Sequence, residues 1–317
     1  MKRWLTTLPL VTLAACGDAP AVRPAPDAGF ADAPAADGAP ISCATTGVRR
    51  VADLRYATTP GVAARLQSLD LYQPTRPMEC PRTPILVWVH GGGWTVGDKA
   101  QQLTAKVPWA TGLGFLFASV NYRLSPSPPS NLAGLAPGRV MYPTHNDDVS
   151  AAVAYLRAHA AEYGADPSRV VLMGHSAGAG VVAQVGTNPR FAALAGSLRC
   201  VAALDTEAYD VAEAASGMDA QGVLYQNAFG GDPAVWREAS PLTHVRAGLS
   251  PFFVVTRGAA TRVAMSRRFV DALRGAGGRA ELVTATGYDH EGVNDAVGTA
   301  ADRVITPALE RFFLDCR

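Results

Sequence analysis

Charge is scarce in this chain. Charged residues are 17% of its 317 positions and the formal net charge is +1. That leaves no electrostatic field to attract nucleic acid or an acidic partner. No segment repeats at a fixed period, which excludes a solenoid or propeller array. The apolar run at residues 4–13 is too short to cross a bilayer as a stable helix. Cysteine is sparse as well, with five in all, so any covalent framework is a supplement to a core and not a substitute for one. Hydrophobic residues, by contrast, make up 48%, enough for one large domain with a buried interior.

The first residues read as a targeting device. Lys2 and Arg3 form a basic start, residues 4–13 an apolar stretch, and Leu13-Ala14-Ala15-Cys16 resembles the bacterial lipobox. Cleavage before Cys16 and its lipidation would anchor an exported protein to a membrane, on the periplasmic or cell-surface side. Several acyl chains satisfy the requirement for more than one anchoring signal. An ordinary secretory signal with a chance cysteine is the alternative. The expected organisation is a signal peptide over 1–15, a lipidated cysteine and flexible tether over 16–42, and a folded domain over 43–317. The tether is rich in Ala, Pro, Asp and Gly and cannot bury enough apolar surface to order itself. With Cys16 lipidated, Cys43, Cys80, Cys200 and Cys316 remain. Of the three pairings four cysteines allow, Cys43–Cys80 with Cys200–Cys316 is expected, because it joins neighbours at each end of the domain. Free buried thiols are the alternative.

Along the domain, strand-type segments alternate with helix-type ones. Strands are expected at 49–56, 66–72, 85–89, 115–121, 169–173, 200–204, 252–256 and 280–285. Helices are expected at 99–109, 146–163, 266–274 and within 296–313. This alternation predicts an α/β protein with a mostly parallel sheet covered on both faces. Residues 206–249 look irregular and polar, and are read as an insertion able to cap a site.

The chemistry concentrates in Gly174-His175-Ser176-Ala177-Gly178, which follows the apolar run 170–173 and precedes a helix-compatible stretch. Strand, Gly-x-Ser-x-Gly and helix form the layout of a nucleophile elbow. It holds Ser176 proud of the sheet at a helix N-terminus that favours negative charge. A serine needs a base, and His290 and His244 are the histidines that follow it. His290 is favoured, because it lies just past the last strand, at the sheet edge where ligands gather. Directly after strand 85–89 comes His90-Gly91-Gly92-Gly93-Trp94. Its bare peptide amides suit an oxyanion, which Gly92, Gly93 and Ala177 would hold. His90 is read as bracing this loop. His145, Asp147 and Asp148 are read as helix-capping groups at a helix start, and no metal site is assigned.

These motifs carry a resemblance. With Asn121-Tyr122-Arg123-Leu124 and Glu162-Tyr163-Gly164-Ala165-Asp166-Pro167, they make residues 48–313 similar to α/β-hydrolase carboxylesterases of the hormone-sensitive-lipase-like and feruloyl/acetylxylan-esterase-like group. The resemblance implies an eight-stranded sheet, no cofactor, and hydrolysis of carboxylic esters, with a small-molecule or polysaccharide-linked ester as substrate. An amidase or peptidase (formamidase-like) on the same machinery is one alternative. A catalytically inactive surface-binding homologue is the other. The chain departs from the family at one point. The acid usually follows the strand equivalent to 252–256 in a Gly-x-x-Asp loop, and here that loop reads Arg257-Gly258-Ala259-Ala260-Thr261-Arg262-Val263. Asp205, at the end of strand 200–204, is the candidate acid. Glu207, Asp210 and Asp289 are less favoured, and a Ser–His dyad without an acid stays open.

Overall fold

The computed structural model describes residues 42–194 and 197–317. The expected signal peptide, Cys16 and nearly all of the tether lie outside them.

Eight strands form one sheet in the order β1-β2-β4-β3-β5-β6-β7-β8. They are β1 (Gly47–Arg55), β2 (Ser68–Thr75), β3 (Thr83–Val89), β4 (Leu116–Val120), β5 (Ala165–His175), β6 (Leu198–Leu204), β7 (Phe252–Thr256) and β8 (Ala280–Thr284). The pairs β1–β2 and β2–β4 are antiparallel and the rest are parallel. The helices are α1 (Lys106–Gly112), α2 (Thr144–Ala158), α3 (Ala177–Thr187), α4 (Val211–Ala215), α5 (Ala220–Phe229), α6 (Pro233–Ala239), α7 (Ala260–Gly275), α8 (His290–Ala296) and α9 (Ile305–Leu314).

Strand periodicity explains why both faces are covered. In β3, Ile85, Val87 and Val89 join one apolar cluster with Val149 and Val153 of α2, Val182 of α3 and Phe269 of α7. The alternate residues Leu86 and Trp88 join a second, with Ala110 of α1, Val293 of α8 and Phe312 of α9. Successive side chains of a strand point to opposite faces, so a continuous apolar run is what a strand covered on both sides requires. Burying every side chain of β3 is consistent with its central place in the sheet.

Two expectations are corrected. Residues 99–105 are not helical and α1 begins only at Lys106, because the Lys99 backbone is engaged from outside, its amide donating to Asn121 Oδ1 and its carbonyl accepting from Ser119 Oγ, each at 2.6 Å. The helix expected within 296–313 is present as α9, and α8, which the sequence reading did not anticipate, precedes it across a connection in which Asp302 accepts amide hydrogens from Val304 and Ile305. The 206–249 segment is not irregular: it contains α4, α5 and α6. Asp210, Asp219 and Asp232 cap their first turns by accepting from Glu213, Gly222 and Ala234 amides. Both expected disulfides are present, Cys43–Cys80 and Cys200–Cys316, each with Cα atoms 5.7 Å apart.

Candidate active site

Ser176 joins β5 to α3 with φ +55° and ψ −119°, a backbone state that costs energy for any residue but glycine. Its surroundings enforce it. The Ser176 amide donates to the Leu204 carbonyl at 2.9 Å, and its carbonyl accepts from Gly180 at 3.1 Å. A Cβ at Gly174 would run into the Gly178 carbonyl, and one at Gly178 into the carbonyls of Val89 and His90. The two glycines are therefore demanded by close backbone approach, as the tight turn requires.

The structure brings the three predicted side chains together. Ser176 Oγ lies 2.8 Å from His290 Nε2, and His290 Nδ1 lies 2.6 Å from Asp205 Oδ2. The carboxylate accepts the Nδ1 proton, which leaves the Nε2 lone pair to accept from the serine hydroxyl. Asp205 stands at the end of β6, fully buried, with φ +57°. Both its oxygens are also held by arginines, Oδ2 by Arg257 Nε at 2.7 Å and Oδ1 by Arg262 Nε at 2.8 Å. Burial pushes its pKa up, but the hydrogen bond from His290 and the two guanidinium groups outweigh that and hold it below the usual carboxylate range. The loop that lacks the expected acid thus supplies the two cations that hold Asp205.

The other candidates are elsewhere. His244 donates to the Glu238 carbonyl at 2.6 Å. Asp210 and Asp289 cap α4 and α8, and Glu207 pairs with Arg262. Asp147 and Asp148 are not helix caps: they pair with Arg190 and Arg123, since guanidinium partners were within reach and Pro143 occupies the capping position. His145 is buried, and that burial together with nearby Arg123 depresses its pKa to about 3.

The glycine loop is braced from below. His90 stacks on Tyr122 with ring centroids 4.6 Å apart, and Tyr122 Oη donates to the His90 carbonyl at 3.1 Å. Asn121 accepts from the Lys99 amide at 2.6 Å and donates to Asp98 at 3.0 Å. Trp94, with φ +62°, meets Tyr225 and Phe229 of α5 edge-on at 5.1 Å each. Asn121 and Tyr122 therefore tie the loop to the sheet, and Trp94 ties it to the insertion.

Gly93, Ser176, Ala177, Asp205, Arg257 and His290 line one cavity of about 410 Å³, whose far wall includes Leu224 and Tyr225 of α5. Ala177 opens α3, so its amide has no partner within the helix. Gly92 lines a neighbouring cavity with His90 and His175. It is separated from Gly93 and Ala177 in this respect.

Sequence reasoning missed His175. Its Nε2 donates to the His290 carbonyl at 2.9 Å, and the two rings face each other at 4.6 Å. Burial and the neighbouring His290 lower its pKa to about 4, so it stays neutral while fixing the backbone of His290. Its place inside the elbow motif was the available signal. Among the described residues, His175, His290 and Glu291 are the group whose ligand atoms lie within 4.8 Å of one another. Both ring nitrogens of His290 are already engaged, and His175 has spent one of its own.

The BD-FAE family profile matches residues 69–268, a span that includes Gly92, Gly93, Ser176 and Asp205 and stops before His290. Esterase LipQ of Mycobacterium tuberculosis is 28% identical over 267 residues, covering 80% of this chain and 60% of that protein. Probable carboxylic ester hydrolase LipM of the same organism is 28% identical over 228 residues, covering 68% of this chain and 50% of that protein. The chain thus spans only half to three-fifths of the length of these relatives. Among solved structures, a truncated carbohydrate esterase from gut microbiota superposes with a TM-score of 0.65 at 18% identity, over 86% of this chain and 97% of that one. Esterase 2 of Thermogutta terrifontis superposes with a TM-score of 0.64 at 23% identity, over 86% and 95%.

Proposed function

The chain belongs to the BD-FAE family, and from that premise we propose that it is a serine hydrolase that cleaves carboxylic esters through an acyl-enzyme. The observation that carries this reading is the unbroken line of hydrogen bonds from Ser176 Oγ through His290 to Asp205. In this mechanism His290 Nε2 takes the hydroxyl proton as Ser176 Oγ attacks the ester carbonyl. The amides of Gly93 and Ala177, which line the cavity with Ser176, meet the oxyanion, while Gly92 faces the neighbouring cavity. Losing one such donor costs about 3 kcal/mol of transition-state stabilisation. His290 then protonates the leaving alcohol, and a water molecule, deprotonated by the same ring, releases the acid. Asp205 keeps the ring in the tautomer this needs and stabilises the imidazolium that forms.

Several names among the relatives and structural neighbours point to esters, and the chain order Ser176, Asp205, His290 suits that chemistry. The inactive-homologue reading rested on a missing acid, and a carboxylate at 2.6 Å from His290 removes its motive. A fluorophosphonate probe should label the wild-type protein, and Ser176→Ala should abolish both labelling and p-nitrophenyl acetate hydrolysis. Retained labelling in Ser176→Ala would sink the assignment. Hydrolysis of p-nitroacetanilide at a rate matching the ester would instead favour an amidase.

We further propose that the enzyme is exported and anchored through a lipid on Cys16. The basic and apolar start of the sequence and the disulfides Cys43–Cys80 and Cys200–Cys316 support this, since disulfides persist outside the cytosol. Cys16→Ser should move the protein from the membrane fraction to the soluble one. Unchanged membrane association would count against it.

A further inference from the structure

The two arginines that hold Asp205 are not equivalent. Arg262 is fully committed: Nε to Asp205 Oδ1 at 2.8 Å, Nη2 to the Asp205 carbonyl at 3.1 Å, and Nη1 to Glu207. Arg257 gives Asp205 only its Nε, at 2.7 Å, and among the described residues its two terminal amino groups have no hydrogen-bond partner. Its side chain is 23% exposed and lines the same cavity as Ser176, Gly93 and Ala177. Trp94, Leu224 and Tyr225 give that cavity an apolar wall. An ester carbonyl seated at Ser176 therefore shares its enclosure with the side chain of Arg257, whose terminal amino groups are unfilled.

That edge has a specific chemistry. The two terminal amino groups of a guanidinium present parallel N–H donors that match the two oxygens of a carboxylate. A guanidinium is also weakly hydrated, so a carboxylate displaces little water from it. The formal charges at this end of the cavity, Asp205 and Glu207 against Arg257 and Arg262, cancel. Selection must then come from directed donors and not from a net field. Building on the ester-hydrolase reading above, we propose that Arg257 makes this site prefer esters that carry a second, ionised carboxylate on the part held in the cavity. Half-esters of short dicarboxylic acids and esters of hydroxy acids are the class it fits.

Two substrate pairs test this. p-Nitrophenyl hemisuccinate and p-nitrophenyl levulinate differ in the acyl group by a carboxylate against a methyl ketone of similar shape. 4-Acetoxybenzoate and its methyl ester differ in the same way in the leaving group. Charge-assisted bidentate contacts predict a kcat/KM ratio of about 10- to 100-fold in favour of the anion in one of the pairs. Arg257→Gln should bring that ratio close to one and Arg257→Lys should leave it between. Because Arg257 also touches Asp205, only the ratio within each variant is read. Wild-type ratios at or below one in both pairs, or a ratio that survives Arg257→Gln, would overturn the proposal. Binding to Ser176→Ala is read separately by calorimetry, with monomethyl succinate against methyl levulinate for the acyl side and 4-acetoxybenzoate against its methyl ester for the alcohol side. The anion should win in the favoured pair and lose its advantage when Arg257→Gln is added. Should the wild-type protein turn over no ester, the hydrolase reading falls, and this binding comparison still decides what Arg257 recognises.

Discussion

At the scale of single residues, the decisive position is Asp205. On the proposed mechanism it takes over a task that the loop after β7 leaves undone, and it can do so because β6 and β7 are neighbours in register, Leu204 beside Val255. A carboxylate one strand over still reaches the ring of His290. The backbone at φ +57° is the conformational cost of aiming it there, offset by the contacts with His290, Arg257 and Arg262. Asp205→Asn keeps the shape but offers an amide that no longer enforces the correct imidazole tautomer. On the proposed mechanism kcat should fall about four orders of magnitude with KM little changed. The same substitution leaves two arginines without their buried counter-charge, which should cost about 3 kcal/mol of stability. Urea unfolding and turnover per active site, counted by burst titration, measure the two effects separately. A kcat within tenfold of wild type would show that Asp205 does not serve His290.

At the scale of elements, what could be read in advance followed how local the cause was. The strands of the central sheet were legible because each is a short, continuous apolar run, and β3, with every residue buried, is the clearest. The elbow was legible because its glycines are forced by contacts within a few residues, Gly174 against Gly178. The acid was legible only as a candidate, since its identity depends on which strands lie side by side, a non-local fact. The arginine partners of Asp205 were invisible for the same reason. The segment after the glycine loop was misread as helix because the backbone of Lys99 bonds to Asn121 and Ser119, residues that arrive from β4 and its end. In the insertion, composition suggested irregular chain, but three aspartate-capped helices formed where apolar side chains found a partner. Phe229 and Tyr225 of α5 pack on Trp94. The capping aspartates were each a readable signal, standing just before the helix they begin.

At the scale of the whole molecule, buried neutral histidines set how the protein should respond to acid. His175 and His145 titrate at about 4 and about 3 in the folded chain, because burial disfavours the imidazolium, while the reference value is 6.5. His90 is depressed by burial as well. Below pH 6.5 the unfolded chain takes up these protons and the folded chain does not. Folded pKa values lie under the unfolded ones, so this contribution to stability is complete above about pH 6.5. It drains away as pH falls toward 4 and 3. Each such histidine contributes a slope of about 1.4 kcal/mol per pH unit inside its window. Carboxylates held low by their partners, Asp205 and Asp70 among them, add their own loss only below their reference value of 3.8. The decline should therefore begin well above the carboxylate range. Urea midpoints measured at pH 7.5, 6.0 and 5.0 should fall progressively, and His145→Gln should flatten the dependence by about one proton's worth. Equal midpoints at pH 7.5 and 5.0 would mean that these rings are protonated inside the fold, and would undo the account of His175 as the neutral donor that holds the backbone of His290.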